Sequence, residues 1–396
     1  MVGVADSRSG RGYPSVSAGI HGTGDGRGPW VQALKLVVVS RIVYFAVAYL
    51  AISFLASTEG SSSVGFLDMW TRWDAAHFLQ VAEFGYTDLR SDPHATAFFP
   101  LFPLLVRALT WIGIAPALAG LMIASAASVV AVAYLYRLAQ EELGGDAGRR
   151  AALYLLFFPT AVFLVAPYSE ALFLAGAIPA FYYARRGRWL GAGAFAAVAM
   201  GARAAGGFLL VGLLFEFLRR RDFRRASVLS ALGAVAIALL PLLAFGVYLA
   251  QIKGDPLYFF TDQRLGWGRE LSSPVEALSN TWNATRSAAG EGSLTNFIVG
   301  WRVEIVAAVV GLGAVGWALI KREWGYAAFM GTLLAALVTS TIYLSIPRML
   351  LTMFPIVLFM AGWTRGEGRR HELVLLAFAS IAMLGTVVFV SQSWFF

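Results

Sequence analysis

The chain has 396 residues, 58% hydrophobic and 14% charged, well below the charged fraction of an ordinary soluble domain, which argues against a water-soluble fold. Cysteine is absent, so disulfides, thiolate metal sites and thiol catalysis are excluded. The net charge of +8 is gathered in arginine clusters at the ends of apolar runs, a pattern of membrane topology rather than of nucleic-acid binding.

Residues 1–29 are rich in Gly, Ser and Arg, with Tyr13 standing almost alone as a large apolar side chain. They read as a disordered cytoplasmic tail. No signal peptide is expected, because the first apolar stretch begins only near Val31. From there the sequence breaks into apolar runs of about twenty residues, the length of a membrane-crossing helix. They predict spans near 31–56, 116–139, 151–167, 169–184, 189–203, 204–218, 226–250, 301–320, 324–344, 349–363 and 373–393. The strand alternation of a β-barrel is missing. The expected fold is all-α and polytopic with about eleven spans, residues 30–396 forming one transmembrane domain. The pair 189–203 and 204–218 reads equally as one broken or tilted hairpin.

Arginine and lysine crowd 149–150, 185–188, 219–225, 321–322 and 365–370 and are sparse in two long loops, 57–115 and 251–300. By the positive-inside rule the amino terminus is cytoplasmic, and the carboxyl terminus and both long loops are extracytoplasmic, in the plasma membrane. The apolar stretch 98–113, opened by Pro100 and Pro103, reads as an interfacial helix, since a crossing there would invert every later loop.

In the first loop, "MWTRWDAAHFLQVAEFGY" (69–86) places Trp70, Trp73, His77, Val81 and Phe84 at steps of three and four. This predicts an amphipathic helix on the bilayer surface, with Asp74 and His77 on one face. On that pattern alone Asp74 reads first as a cap or solubilising group.

"WDAAHFLQVAEFGY" (73–86) followed by "AFFPLFPLL" (97–105) resembles the signature of the PIG-V-type mannosyltransferase family. "PTAVFLVAPYSEALF" (159–173) is similar to the family's tyrosine-serine-glutamate segment, and "RRGRW" (185–189) with "GARAAG" (201–206) to the arginine-containing stretch after it. "GDPLYFF" (254–260), "WGR" (267–269) and "SIPRMLLTMFP" (345–355) continue the likeness to bacterial members. Met349 departs from it, standing where tyrosine is expected.

The resemblance implies a GT-C glycosyltransferase fold, a polyprenyl-phosphate-mannose donor and a lipid-linked or glycan acceptor. It names no cofactor and leaves any metal need open. An inverting transfer needs one general base, and Asp74 is the candidate, with Asp68 and Glu83 as alternatives. Trp73, His77 and Tyr168 are candidate substrate contacts. Arg203, inside an apolar stretch, is expected to pair with Glu170, and Arg348 to grip the donor phosphate through its planar fork. Asp255, Arg264 and Trp267 are candidate acceptor contacts. An Asp-x-Asp pair and a phosphate-binding loop are missing, which disfavours a nucleotide donor. The competing class is a transporter or lipid flippase, for which repeated halves are expected; none is evident. A membrane scaffold is a third reading.

Overall fold

A computed structural model describes residues 28–59, 65–290 and 295–391; the expected tail falls almost wholly outside them. Among the described residues the regular secondary structure is helical, apart from one isolated β-bridge, Leu271 with Ser340. Five helices among the described residues are long and apolar enough to cross a membrane. They are α1 (Gly28–Glu59, apolar to Phe54), α4 (Pro116–Leu143), α9 (Arg225–Lys253), α12 (Thr295–Ile320, apolar from Gly300) and α16 (Gly368–Val390). Each coincides with an expected span.

The first long loop contains α2 (Asp74–Phe84) and α3 (Leu101–Thr110). At 10 residues, α3 is about 15 Å long at 1.5 Å per residue, too short to cross, as expected for 98–113. The second loop carries α10 (Tyr258–Trp267) and α11 (Pro274–Gly290).

The remaining expected spans differ in form. Residues 169–184, 189–203, 204–218 and 324–344 correspond to α6 (Glu170–Ala184), α7 (Trp189–Ala202), α8 (Gly206–Arg220) and α13 (Trp324–Val338). These helices of 14 or 15 residues are about 21–23 Å long, short of a bilayer core of about 30 Å. The segment 349–363 is two helices, α14 (Ile346–Thr352) and α15 (Pro355–Trp363), meeting at a 75° bend. With that pair counted as one, six helical units pass as candidate spans.

Residues 151–167 do not form one helix. Helix α5 (Ala147–Leu156) stops there, and the chain resumes as a 3-10 turn at Ala161–Leu164. Pro159 and Pro167 explain the break: each lacks an N–H and pushes the residue before it out of helical geometry. Such irregular backbone survives within an apolar environment only where protein satisfies it. Here α1 does so. Tyr44 Oη donates to the Leu156 carbonyl at 3.1 Å, and Arg41 Nη2 to the Leu164 carbonyl at 2.7 Å. Arg41 also reaches Ser128 Oγ of α4 at 2.7 Å.

Helix α6 is buried along nearly its whole length. Glycine lets its neighbours approach: a Cβ on Gly176 would lie 2.5 Å from the Ala199 nitrogen of α7, and one on Gly193 2.5 Å from Ala234 of α9. Small residues permit this close contact where hydrophobicity cannot drive it. Just past the end of α6, Arg185 is shared by Glu216 at 3.1 Å, Glu323 at 2.6 Å and Glu142, and Tyr326 Oη donates to Glu142 at 2.9 Å. This buried knot ties α4, α6, α8 and α13 together at one end. The start of α6 lies at the other end, at a cavity.

Candidate active site

The cavity has a volume of about 960 Å³ and lies between α2, the start of α6, the α7–α8 junction, α10, the end of α13 and α14. Its polar wall is made by Trp73, Asp74, His77, Arg203, Arg269 and Arg348. Phe208 of α8, Leu333, Ala336 and Leu337 of α13, and Leu344 just before α14 line its apolar side.

Asp74 is the first residue of α2, and the chain reaches it through a tight turn. The Ala75 nitrogen donates to the Arg72 carbonyl at 3.1 Å, and Trp73 between them has φ 53° and ψ −128°. That is the second position of a type II′ turn, ordinarily glycine. A tryptophan held there stores strain of about 1–3 kcal/mol. Tyr168, buried, supports the turn by donating its hydroxyl to the same Arg72 carbonyl at 3.0 Å. The continuous helix expected from Trp70 onward is therefore corrected: Trp70 belongs to a separate 3-10 turn, Asp68–Trp70, and the intervening turn aims Asp74 into the cavity.

Asp74 is not a helix cap; the residue preceding the helix is Trp73, and no side-chain cap bond forms. Its Oδ2 instead receives Arg348 Nη1 at 2.5 Å. No described side chain donates to Oδ1. Burial pushes the carboxyl up, but Arg348 opposes this both by charge and by its hydrogen bond, and Arg203 and His77 add to it. The net effect holds Asp74 below the ordinary carboxylate range.

Arg348 is buried, its guanidinium lying 4.7 Å from the Tyr168 ring centre and 4.9 Å from that of Phe163, within cation–π range. Its Nε donates to Glu170 Oε1, which also receives Arg203 Nη1. The expected Arg203–Glu170 pair is thus present, and Arg348 links it to Asp74. Arg203 is in extended backbone where α7 ends, and it also donates to Ser169 Oγ at 3.2 Å. Its Nη2 lies 3.5 Å from Met349 Sδ, so the position where tyrosine was expected does face the cluster. Arg348 was expected as the phosphate grip; here its fork is committed to two carboxylates.

His77 lines the cavity one turn after Asp74 but does not bond to it. It stacks on Phe98 with centres 5.0 Å apart, and its Nδ1 lies 3.5 Å from Asp92 Oδ2. Asp68 and Glu83 are exposed and outside the cavity lining, so neither alternative base is placed at the site. Asp255 is outside it too, its Oδ1 accepting from the Leu257 nitrogen at 2.8 Å, whereas Arg264 and Trp267 do line it.

Three groups that sequence reasoning passed over complete the site. Asp262 of α10 is buried and accepts from Thr96 Oγ1, with His94 Nδ1 3.2 Å away, pinning the second loop to the first. Glu304 of α12 is fully buried and takes the Ser345 and Ile346 nitrogens at 2.6 and 2.7 Å, capping the short helix that carries Arg348. Arg269 follows Gly268, whose φ of 61° ends α10, and its Nη2 donates to the Leu344 carbonyl at 3.3 Å. The signal for Glu304 was in the sequence, as an acid in an apolar run. Among the described residues, no three His, Asp or Glu side chains converge as a metal-ligand set.

Residues 45–251, just over half of the chain, match the family described as Mannosyltransferase (PIG-V). The chain belongs to that family. It is 36% identical over 181 residues to GPI alpha-1,6-mannosyltransferase 2 of Cricetulus griseus, covering 42% of this chain and 35% of the relative. The Mus musculus protein of the same name is 38% identical over 163 residues, covering 37% and 32%, and the Homo sapiens protein 34% over 182, covering 42% and 35%. The matched region spans about a third of the length of these relatives. Trp73, Asp74, His77, Tyr168, Glu170 and Arg203 fall inside the PIG-V match, while Arg269, Glu304 and Arg348 lie beyond it.

Proposed function

We propose that this PIG-V family member is an inverting membrane mannosyltransferase that moves mannose from polyprenyl-phosphate-mannose to a lipid-linked or glycan acceptor, with Asp74 as general base. The observation that carries the reading is Asp74 itself, a cavity-lining carboxylate with one oxygen held by Arg348 and the other taken by no described side chain. In the proposed step the acceptor oxygen attacks the anomeric carbon, the bond from that carbon to the phosphate oxygen breaks, and the phosphate leaves with the electron pair. The acceptor proton passes to Asp74 Oδ1. A carboxylate held at low pKa accepts that proton late, once the attacking oxygen has become acidic through bonding. Retention would require a second carboxylate as nucleophile near the first. Glu170 is fully buried, absent from the cavity wall and gripped by two arginines, which supports a single displacement.

In this reading the fold is the GT-C glycosyltransferase type, with the shorter helices and the α14–α15 pair completing about eleven crossings. The cavity is on the extracytoplasmic face of the cell membrane. Helices α6, α8 and α13 each run between the cavity and an end rich in arginine or lysine, at 185–188, 219–225 and 321–322, which supports that orientation.

The test is transfer of labelled mannose from polyprenyl-phosphate-mannose to candidate lipid extracts by purified protein. Asp74→Asn should lower turnover by about 10²- to 10⁴-fold, the usual worth of a general base, with membrane insertion intact. Undiminished transfer by that variant would sink the mechanism, and no transfer by the wild type from any prenyl-linked donor would bring back the transporter reading.

A further inference from the structure

We infer that Arg269 is the residue that receives the phosphate of a prenyl-phosphate donor, placing the prenyl chain along the Phe208, Leu333 and Leu337 wall and the sugar toward Asp74; the inference rests on the function proposed above.

Four arginines line the cavity: Arg203, Arg264, Arg269 and Arg348. Arg348 is spent on Asp74 and Glu170, and Arg203 on Glu170. Arg264 is exposed and stands 4.0 Å from Glu270. Arg269 is half-buried, and its only side-chain bond among the described residues is to the neutral Leu344 carbonyl. Of the two acids whose charge reaches Arg269, Asp74 is bonded to Arg348 and Glu304 is occupied by the two backbone nitrogens of α14. A half-buried guanidinium with one neutral acceptor has most of its five donors left for a ligand. The ligand that suits them is an anion with several oxygens, since fork and phosphate match in geometry as well as charge.

Position and rigidity support the assignment. Leu344, whose carbonyl holds Arg269, lines the cavity with Leu333 and Leu337, so Arg269 stands where the polar wall meets the apolar one. A prenyl phosphate has the same division along its length. The arginine is also fixed before any ligand arrives. Its nitrogen bonds the Gln263 carbonyl at 3.3 Å, and the residues after it pair with the end of α13, Ser272 nitrogen to Thr339 carbonyl at 2.7 Å and Thr341 nitrogen to Glu270 carbonyl at 2.9 Å. Little ordering remains for binding to supply.

The experiment is equilibrium binding of labelled farnesyl phosphate, which carries no sugar and cannot turn over, to the full-length protein in detergent, with farnesol as the uncharged control. Arg269→Gln should bind farnesyl phosphate about 10- to 100-fold more weakly, the range expected for lost charge-assisted bonds, and farnesol as the wild type does. Arg269→Lys should recover part of the loss. Equal affinity of wild type and Arg269→Gln for farnesyl phosphate overturns the inference, as does an equal fall for farnesol, which would mark a damaged cavity. Arginine-dependent binding without any mannose transfer by the wild type would leave Arg269 assigned and refute the proposed reaction instead.

Discussion

Replacing Arg348 with glutamine takes the cation from between two carboxylates and therefore tests whether the cluster sets the base. Glu170 would keep Arg203, but Asp74 would lose its one close bond and remain in an environment that disfavours its charge. Removing one partner of a buried ion pair costs about 3–5 kcal/mol; with the Asp74 side chain 25% exposed and Glu170 still paired, the lower end, about 3 kcal/mol, is the figure to expect. The pH dependence follows from the sign of the shift. Asp74 is held below its ordinary value, so the stability drawn from the pair is present above the unfolded aspartate pKa of about 4. It fades as pH falls through the lowered folded value. Arg348→Gln should flatten that dependence and raise the acid limb of the transfer rate, because burial then acts on Asp74 with much less opposition. Arg348→Lys, a point charge that cannot bridge both acids with the same fork, should fall between. Thermal unfolding followed by tryptophan fluorescence gives the first quantity, and initial rates between pH 4 and 9 the second. Wild-type rates with an unmoved acid limb in Arg348→Gln would refute the account of how Asp74 is tuned.

Two further substitutions separate positioning from chemistry. Glu304→Gln keeps one acceptor oxygen for the α14 nitrogens but loses the charge-assisted character of those bonds; it should cost about 1–2 kcal/mol in unfolding free energy and lower kcat with little change in donor affinity, measured by steady-state kinetics. Trp73→Gly should relieve about 1–3 kcal/mol of backbone strain while removing an aromatic wall from the cavity. A raised or unchanged melting temperature together with a higher donor KM is the expected pair of results, and a large loss of stability would contradict the strain assigned to that turn.

The long spans were legible because a run of twenty apolar residues has few other fates, and α1, α4, α9, α12 and α16 all appear where expected. The Asp74 segment was legible through its motif, and the Arg203–Glu170 pair through the penalty on a lone charge in an apolar stretch. What escaped falls into two kinds. Some signals were present: Pro159 and Pro167 forecast the break in 151–167, and Arg41 and Glu304, charges inside apolar runs, forecast buried polar partners. Others were not local at all. Nothing within reach of a sequence window joins Asp74 to Arg348, 274 positions apart, or Asp262 to Thr96, 166 apart, because helical periodicity reports which face a residue occupies and not which partner faces it. The turn at Trp73 was hidden for a related reason: tryptophan is not a turn residue by propensity, and the tertiary contact from Tyr168 to the Arg72 carbonyl overrides that preference.

Helix α6 carries Glu170 at its first residue and is followed directly by Arg185, so it is riveted by buried charge at both ends. Sliding or rotating it by one residue would strand an acid at the cavity and a base in the knot with Glu142, Glu216 and Glu323, two penalties of several kcal/mol each. It therefore behaves as a fixed pillar between the cavity and the arginine knot. Admission and release of two bulky substrates in the proposed reaction must leave that pillar in place, so that the Glu170 carboxylate and the Arg185 guanidinium stay in register with their partners.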